Sequence, residues 1–211
     1  MRPGGAPGSA NLSDDVALRD AARVASMRDA MARVLGAAGS QNETGEPLTA
    51  VGLLDNALAH LDAELDDDPA SHAAGLRMIG TIFFAMDDYG RAEPVLQRIA
   101  NNPSPQIPPD IRALAQFDLS QIRFEAGDTA GARALFQQAH DYWLANESRH
   151  EVQLIHSASM LSRLYRLDDN PEAAVGVIED ALRRADRHWG RNHEETAIVL
   201  SNLVVAHFYN N

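Results

Sequence analysis

Leu53, Leu54, Ala57, Leu58 and Leu61 recur at three- and four-residue steps and make one apolar face, which predicts a helix over residues 49–65. Further apolar stretches, separated by short polar turns, predict helices at about 71–86, 89–101, 109–126, 129–146, 150–167, 171–187 and 194–209. The turns between them are Asp87-Asp88, Gly127-Asp128 and Asp168-Asp169-Asn170-Pro171. Pro171 is tolerated there because the first helical position needs no N–H donor. Longer breaks fall at residues 101–110 and 189–193. No period-two alternation is sustained, so no strand is expected. Upstream, Ser13 reads as an N-cap followed by Asp14 and Asp15, where the helix dipole favours acids. A helix is expected from there to about residue 35, carrying Val16, Val24, Met27, Met31 and Val34, and then a polar loop to residue 47. Residues 1–12, rich in Pro, Gly, Ser and Asn, read as a disordered tail.

The helices repeat. Ile79-Gly80-x2-Phe83 precedes Ala92-x3-Leu96-x2-Ile99. Leu119-Ser120-x2-Arg123 precedes Ala132-x3-Phe136-x2-Ala139, and Leu161-Ser162-x2-Tyr165 precedes Ala174-x3-Ile178-x2-Ala181. The small residues 80, 120 and 162 lie 40 and 42 residues apart, and Leu203-Val204-x2-His207 is a further first half. Self-similarity at a fixed period means stacked helix hairpins, with repeats near 71–101, 109–146 and 150–187 and a partial one at 193–211. Such an architecture points towards holding a partner and away from catalysis.

Composition narrows the options. The 211 residues carry a net charge of −12, which repels phosphate backbones and anionic membrane surfaces and so argues against nucleic acid as a ligand. All 18 basic residues are arginine. Alanine is plentiful and aromatic content is 6%, a mixture that lets helices approach closely. The absence of cysteine excludes disulfides, thiolate metal sites and cysteine catalysis. No stretch approaches the ~20 apolar residues of a spanning helix, and no apolar run follows Met1-Arg2-Pro3-Gly4-Gly5, so neither membrane insertion nor a signal peptide is expected.

The hairpin pattern resembles the tetratricopeptide repeat: a small residue on the first helix, an aromatic three later, a Gly/Asp/Asn turn, then Ala-x3-Phe-x2-Ala. Its best single match is Gly127-Asp128-Thr129-Ala130-Gly131-Ala132-x3-Phe136-x2-Ala139. The usual period is ~34 residues, and the longer one here resembles the kinesin-light-chain type. Gly190-Arg191-Asn192-His193-Glu194-Glu195-Thr196-Ala197-x2-Leu200-Ser201-Asn202-Leu203 resembles the segment that separates repeats in that type, with Glu194 in place of Pro and Ser201 in place of Asn. The resemblance spans residues 46–211 and implies an all-α fold, a right-handed α-solenoid of tetratricopeptide hairpins over residues 47–211. A narrower likeness rests on Leu53-Leu54-Asp55-x4-His60-Leu61-x3-Leu65-x3-Pro69, on Tyr89-x2-Ala92-Glu93-Pro94 and on the preceding arginine-rich helix. It resembles the tetratricopeptide region that follows the transmembrane segment of some proteobacterial serine/threonine kinases. With no lysine, no His-Arg-Asp and no Asp-Phe-Gly, the chain would be only a non-catalytic, regulatory part of such a kinase.

Other chemistry is weakly represented. The run Asp66-Asp67-Asp68-Pro69 lacks the alternating ligands, central Gly and closing Glu of a calcium loop, and reads as a helix end and turn. Among eight histidines, the pairs 150/156 and 188/193 do not share a helical face, and His193-Glu194-Glu195 has no second His at 197. Surface or helix-capping roles are expected for them. Ser159, Ser162 and Ser201 have no nucleophile-elbow glycines, and Gly4-Gly5 and Gly36 lie outside any strand–helix turn. No cofactor, metal or catalytic site is therefore expected.

The resemblance implies instead a concave surface lined by inner helices, with contacts flanking the small residue of each repeat. Those positions are Arg77, Met78, Thr81 and Phe84; Phe117, Asp118, Gln121 and Phe124; His156, Ser159, Met160, Arg163 and Arg166; and Asn202 and Val205. Asn202 matches the asparagine that bonds a peptide backbone in kinesin-light-chain-like arrays, a role suited to an amide with both donor and acceptor. Phe84, Phe117, Phe124 and Met160 read equally as core. Arg163 and Arg166 make a basic spot on an acidic chain, unless Asp118 or Glu125 pairs with them. The implied ligand is a protein or peptide. The implied setting is soluble and cytoplasmic, or periplasmic for a kinase segment. The final helix carries Leu200, Leu203, Val204, Phe208 and Tyr209 with no further helix to cover them, which predicts a longer parent chain or self-association.

Overall fold

The computed structural model describes residues 36, 49–65 and 68–209; the expected tail, first helix and most of the following loop lie outside them. Eight helices are seen: α1 (Ala50–Glu64), α2 (Pro69–Ala85), α3 (Tyr89–Ala100), α4 (Pro109–Glu125), α5 (Thr129–Ala145), α6 (Glu147–Leu167), α7 (Pro171–His188) and α8 (Glu194–Phe208). Among the described residues there is no strand. Contacts within the chain separate two compact units, Met1–Ile82 and Phe83–Asn211, where the repeat pattern alone suggested one array over 47–211.

In the first unit, Thr49 caps α1 by accepting from the Gly52 N–H at 3.0 Å, and Leu54, Ala57 and Leu61 are buried as the spacing predicts. Asp68 accepts from the Ser71 N–H at 3.2 Å. Hydrogen bonds from Ser71 and from the α2 backbone hold its carboxyl below its ordinary pKa. The end of the acidic run is thus a cap for α2, a role local hydrogen bonding explains without a metal ion.

In the second unit one turn geometry occurs three times. Asp87, Gly127 and Asp169 adopt left-handed backbone, with φ of 59°, 83° and 53°. The next residue sends its N–H back five positions: Asp88 to the Phe83 carbonyl, Asp128 to Arg123 and Asn170 to Tyr165, at 2.9, 2.9 and 3.0 Å. Its side chain then caps the following helix, accepting from the N–H of Arg91, Gly131 or Ala173. Each turn closes one helix with a Schellman motif and opens the next in three residues, which forces the pair into a hairpin.

Within this unit α4 packs on α5 and α6 on α7, while α3 on α4, α5 on α6 and α7 on α8 join successive hairpins. The small residues of the repeat sit at these crossings: Ala132, Ala139 and Ala174 are fully buried. Trp143 packs with Ala113, Ala139 and Leu154, and Phe136 with Ala132, Met160 and Leu164. A third cluster, around Ile155, Ile178, Ala181 and Val199, joins α6, α7 and α8. His150 leaves helical geometry at φ −123°, ψ 25°, so α6 begins as a short turn before its main run, near the break the sequence predicts there. The α7–α8 link is tied by Thr196, whose buried hydroxyl donates to the Gly190 carbonyl at 2.9 Å, while Gly190 takes φ 89°. The second unit is an all-α solenoid of stacked hairpins.

Candidate functional site

The helix periodicity of α6 brings His156, Ser159, Arg163 and Arg166 to one face, and that of α8 brings Asn202, Val205 and Tyr209 to the face opposite. Between them lies a cavity of about 230 Å³ lined by Ser159, Arg163, Arg166, Asn202, Val205 and Tyr209, with Ser162 and Ile178 at its base. A second cavity of about 220 Å³ continues it past His156, Glu195 and Ile198, and shares Ser159 and Asn202. Six of the expected groove residues thus form one cleft.

Its charges are not equivalent. Arg163 donates to Glu125 at 2.6 Å and lies 4.1 Å above the Phe124 ring, so its charge is largely met within the protein. Arg166 lies 4.7 Å over the Tyr209 ring, and no carboxylate among the described residues pairs with it. A guanidinium on an aromatic face keeps its charge and its donors for a further partner. The half-buried Asn202 amide makes no hydrogen bond to the described residues and opens on both cavities. His156 meets Glu195 at 3.1 Å and stacks on Trp189, with rings 5.8 Å apart. The Trp189 ring stacks in turn on His193, which caps α8 by accepting from the Glu195 N–H. That arrangement fixes the upper end of the cleft.

The remaining expected positions lie elsewhere. Arg77, Met78 and Thr81 belong to the first unit, where the Thr81 hydroxyl donates to the Arg77 carbonyl. Phe84 packs on Tyr89 at 5.6 Å. Phe117 sits between Phe136 and Trp143, and Met160 is 3% exposed among Ala132, Phe136 and Leu164, so both serve the core. Asp118 is buried, Gln121 is half-buried on α4, and Phe124 is a platform for Arg163. Tyr209 was not among the expected residues, although it follows Asn202 by seven positions and so returns to the same helical face.

Two crystal structures of *Podosopora anserina* kinesin light chain with nearly identical TPR-like repeats are similar to this chain, one with a TM-score of 0.61 and one with 0.59. Each is 18% identical and covers 89% of this chain, with 86% and 87% of the other chain matched. The fold is that of tetratricopeptide repeats. No protein-family model matches the chain, and no curated protein does. The tetratricopeptide fold accounts for the common turn, the buried alanines and the inner position of α4 and α6, and the cleft lies where α6 meets α8.

Proposed function

We propose that this chain is a non-catalytic scaffold that binds an extended protein or peptide segment in the cleft between α6 and α8. The observation that carries the reading is the pairing, across one cleft, of two unsatisfied groups of complementary use. The Asn202 amide can donate to and accept from a peptide backbone, and Arg166 can take a carboxylate from the same segment. Val205 and Tyr209 add apolar contact beside them. An acidic segment suits the site because Arg163, although engaged by Glu125, adds a second guanidinium to the same wall. Among the described residues no group of His, Asp or Glu could hold a metal ion, and no helix is long and apolar enough to cross a membrane. The kinase-segment alternative gains no support from the two structural neighbours, which match the repeats alone.

The test is to select binders from a random peptide library on the full chain and measure their affinity by fluorescence anisotropy. Selected peptides should be enriched in Asp and Glu. Arg163→Glu/Arg166→Glu should abolish their binding with helicity unchanged, while Arg149→Glu/Arg187→Glu, at exposed arginines outside the cleft, should leave it. Binders that ignore the first pair of substitutions would move the site elsewhere.

A further inference from the structure

The outer face of α8 fits a second copy of this chain. Val199 and Ala206 turn into the core, with Leu203 packed against it. On the opposite side Glu194, Ala197, Ser201, Val204 and Phe208 are exposed, at steps of three, four, three and four. That is the spacing of a helix–helix seam. Ile198 and Val205 flank it on one side and Leu200 on the other, each about half exposed, while Val204 and Phe208 are 64% and 77% exposed. An apolar stripe of this continuity on an acidic, soluble-looking surface marks an interaction face.

The choice of occupant follows from symmetry and charge. Ser201 is the midpoint of the stripe, and Ala197 and Ser201 are small enough to let a second helix come close. In an antiparallel pair with its twofold axis at Ser201, Ile198 meets Val204 of the second copy, Ala197 meets Val205, and Glu195 meets His207. Glu194 has no partner among the described residues, and it reaches the end where Tyr209 covers Arg166, the guanidinium that has no carboxylate. The acidic first turn of each helix also lies against the C-terminal end of the other, which favours the two dipoles. The face is therefore complementary to itself, as an isologous interface requires. We propose that the chain forms a twofold dimer through an antiparallel α8–α8 contact centred on Ser201.

The chain has no cysteine, which makes a direct test available. In the full-length Ser201→Cys protein the new thiol faces its own symmetry mate, so mild oxidation should give a covalent dimer in high yield; two cysteines are bridged only when their Cα atoms lie within about 7 Å. Ser148→Cys, at an exposed site on α6, should stay monomeric under the same conditions. Sedimentation equilibrium of the unmodified chain should show a monomer–dimer transition that stops at the dimer. Val204→Glu should weaken it by at least about tenfold, which corresponds to about 1.4 kcal/mol. Glu194→Arg and Arg166→Glu should each weaken it, and the two together should restore it. A monomer at all concentrations, association that continues past the dimer, equal cross-linking at both thiols, or a dimer indifferent to Val204→Glu would each overturn the proposal.

Discussion

At the scale of single residues the three turns are the most informative positions, because one backbone conformation is built there from different side chains. Left-handed backbone is open to glycine and costs other residues roughly 1–2 kcal/mol, with Asp and Asn the best tolerated. Gly127 meets the demand directly, and a Cβ at that position would have nothing within 4 Å, so Gly127→Ala carries only the backbone cost. Asp87 offsets part of its strain by accepting from the Tyr89 hydroxyl at 3.1 Å, whereas the exposed Asp169 has no such bond. Asp169→Gly should therefore raise the stability of the chain by about 0.5–1 kcal/mol, and Gly127→Ala should lower it by about 1 kcal/mol. Urea denaturation followed by circular dichroism measures both. A lower midpoint for Asp169→Gly would mean that its side chain holds the turn in some way the left-handed backbone does not explain.

At the scale of elements, the sequence made the helices and their hairpin turns readable almost to the residue. Apolar spacing and Asp/Gly/Asn punctuation are local signals, and α3, α4, α5 and α7 begin where those signals place them. The groove was less legible. Positions flanking the small residue point both to the inner surface and to the next hairpin, and which of the two applies depends on how hairpins stack. Phe117 and Met160 went to the core for that reason, and Arg163 found Glu125 across 38 residues of chain. The Thr196 hydroxyl explains part of the signature around Gly190, but only the folded link shows that the two bond. Stacking itself can be tested at Ala132, which is fully buried with Phe117 and Phe124 of α4 on one side and Met160 and Leu164 of α6 on the other. Ala132→Leu should overpack this junction and cost ~1–3 kcal/mol. Ala130→Leu, on the exposed face of the same helix, should be nearly neutral. Equal denaturation midpoints for the two variants would show that the junction has room the packing does not reveal.

At the scale of the molecule, a solenoid is stabilised by contacts between neighbours, so its parts need not unfold together. The ion pairs between elements follow that rule. Arg123 of α4 meets Glu93 of α3, Arg133 of α5 meets Asp168 beyond α6, and Arg184 of α7 meets Glu147 of α6 as well as Asp180. The bond from Arg184 is the main cause of the lowered pKa of Asp180. All of these pairs are partly solvated and worth no more than about 1 kcal/mol each, so buried apolar contact decides the order of opening. In the second unit α4 and α5 are packed on both sides, by α3 and by α6, whereas among the described elements α8 touches only α6 and α7. Its buried residues are three, Thr196, Val199 and Ala206, against seven in α4. Amide hydrogen exchange on dilute protein should therefore be fastest in α8 and slowest in α4 and α5. Raising the protein concentration should slow exchange in α8 selectively, because the proposed dimer covers that helix, and the Val204→Glu protein should lose this concentration dependence while its α4 and α5 exchange unchanged. Slow exchange in α8 of the dilute Val204→Glu protein would show that contacts within one copy already hold the helix as firmly as the centre of the array, contrary to a stability that follows nearest-neighbour packing.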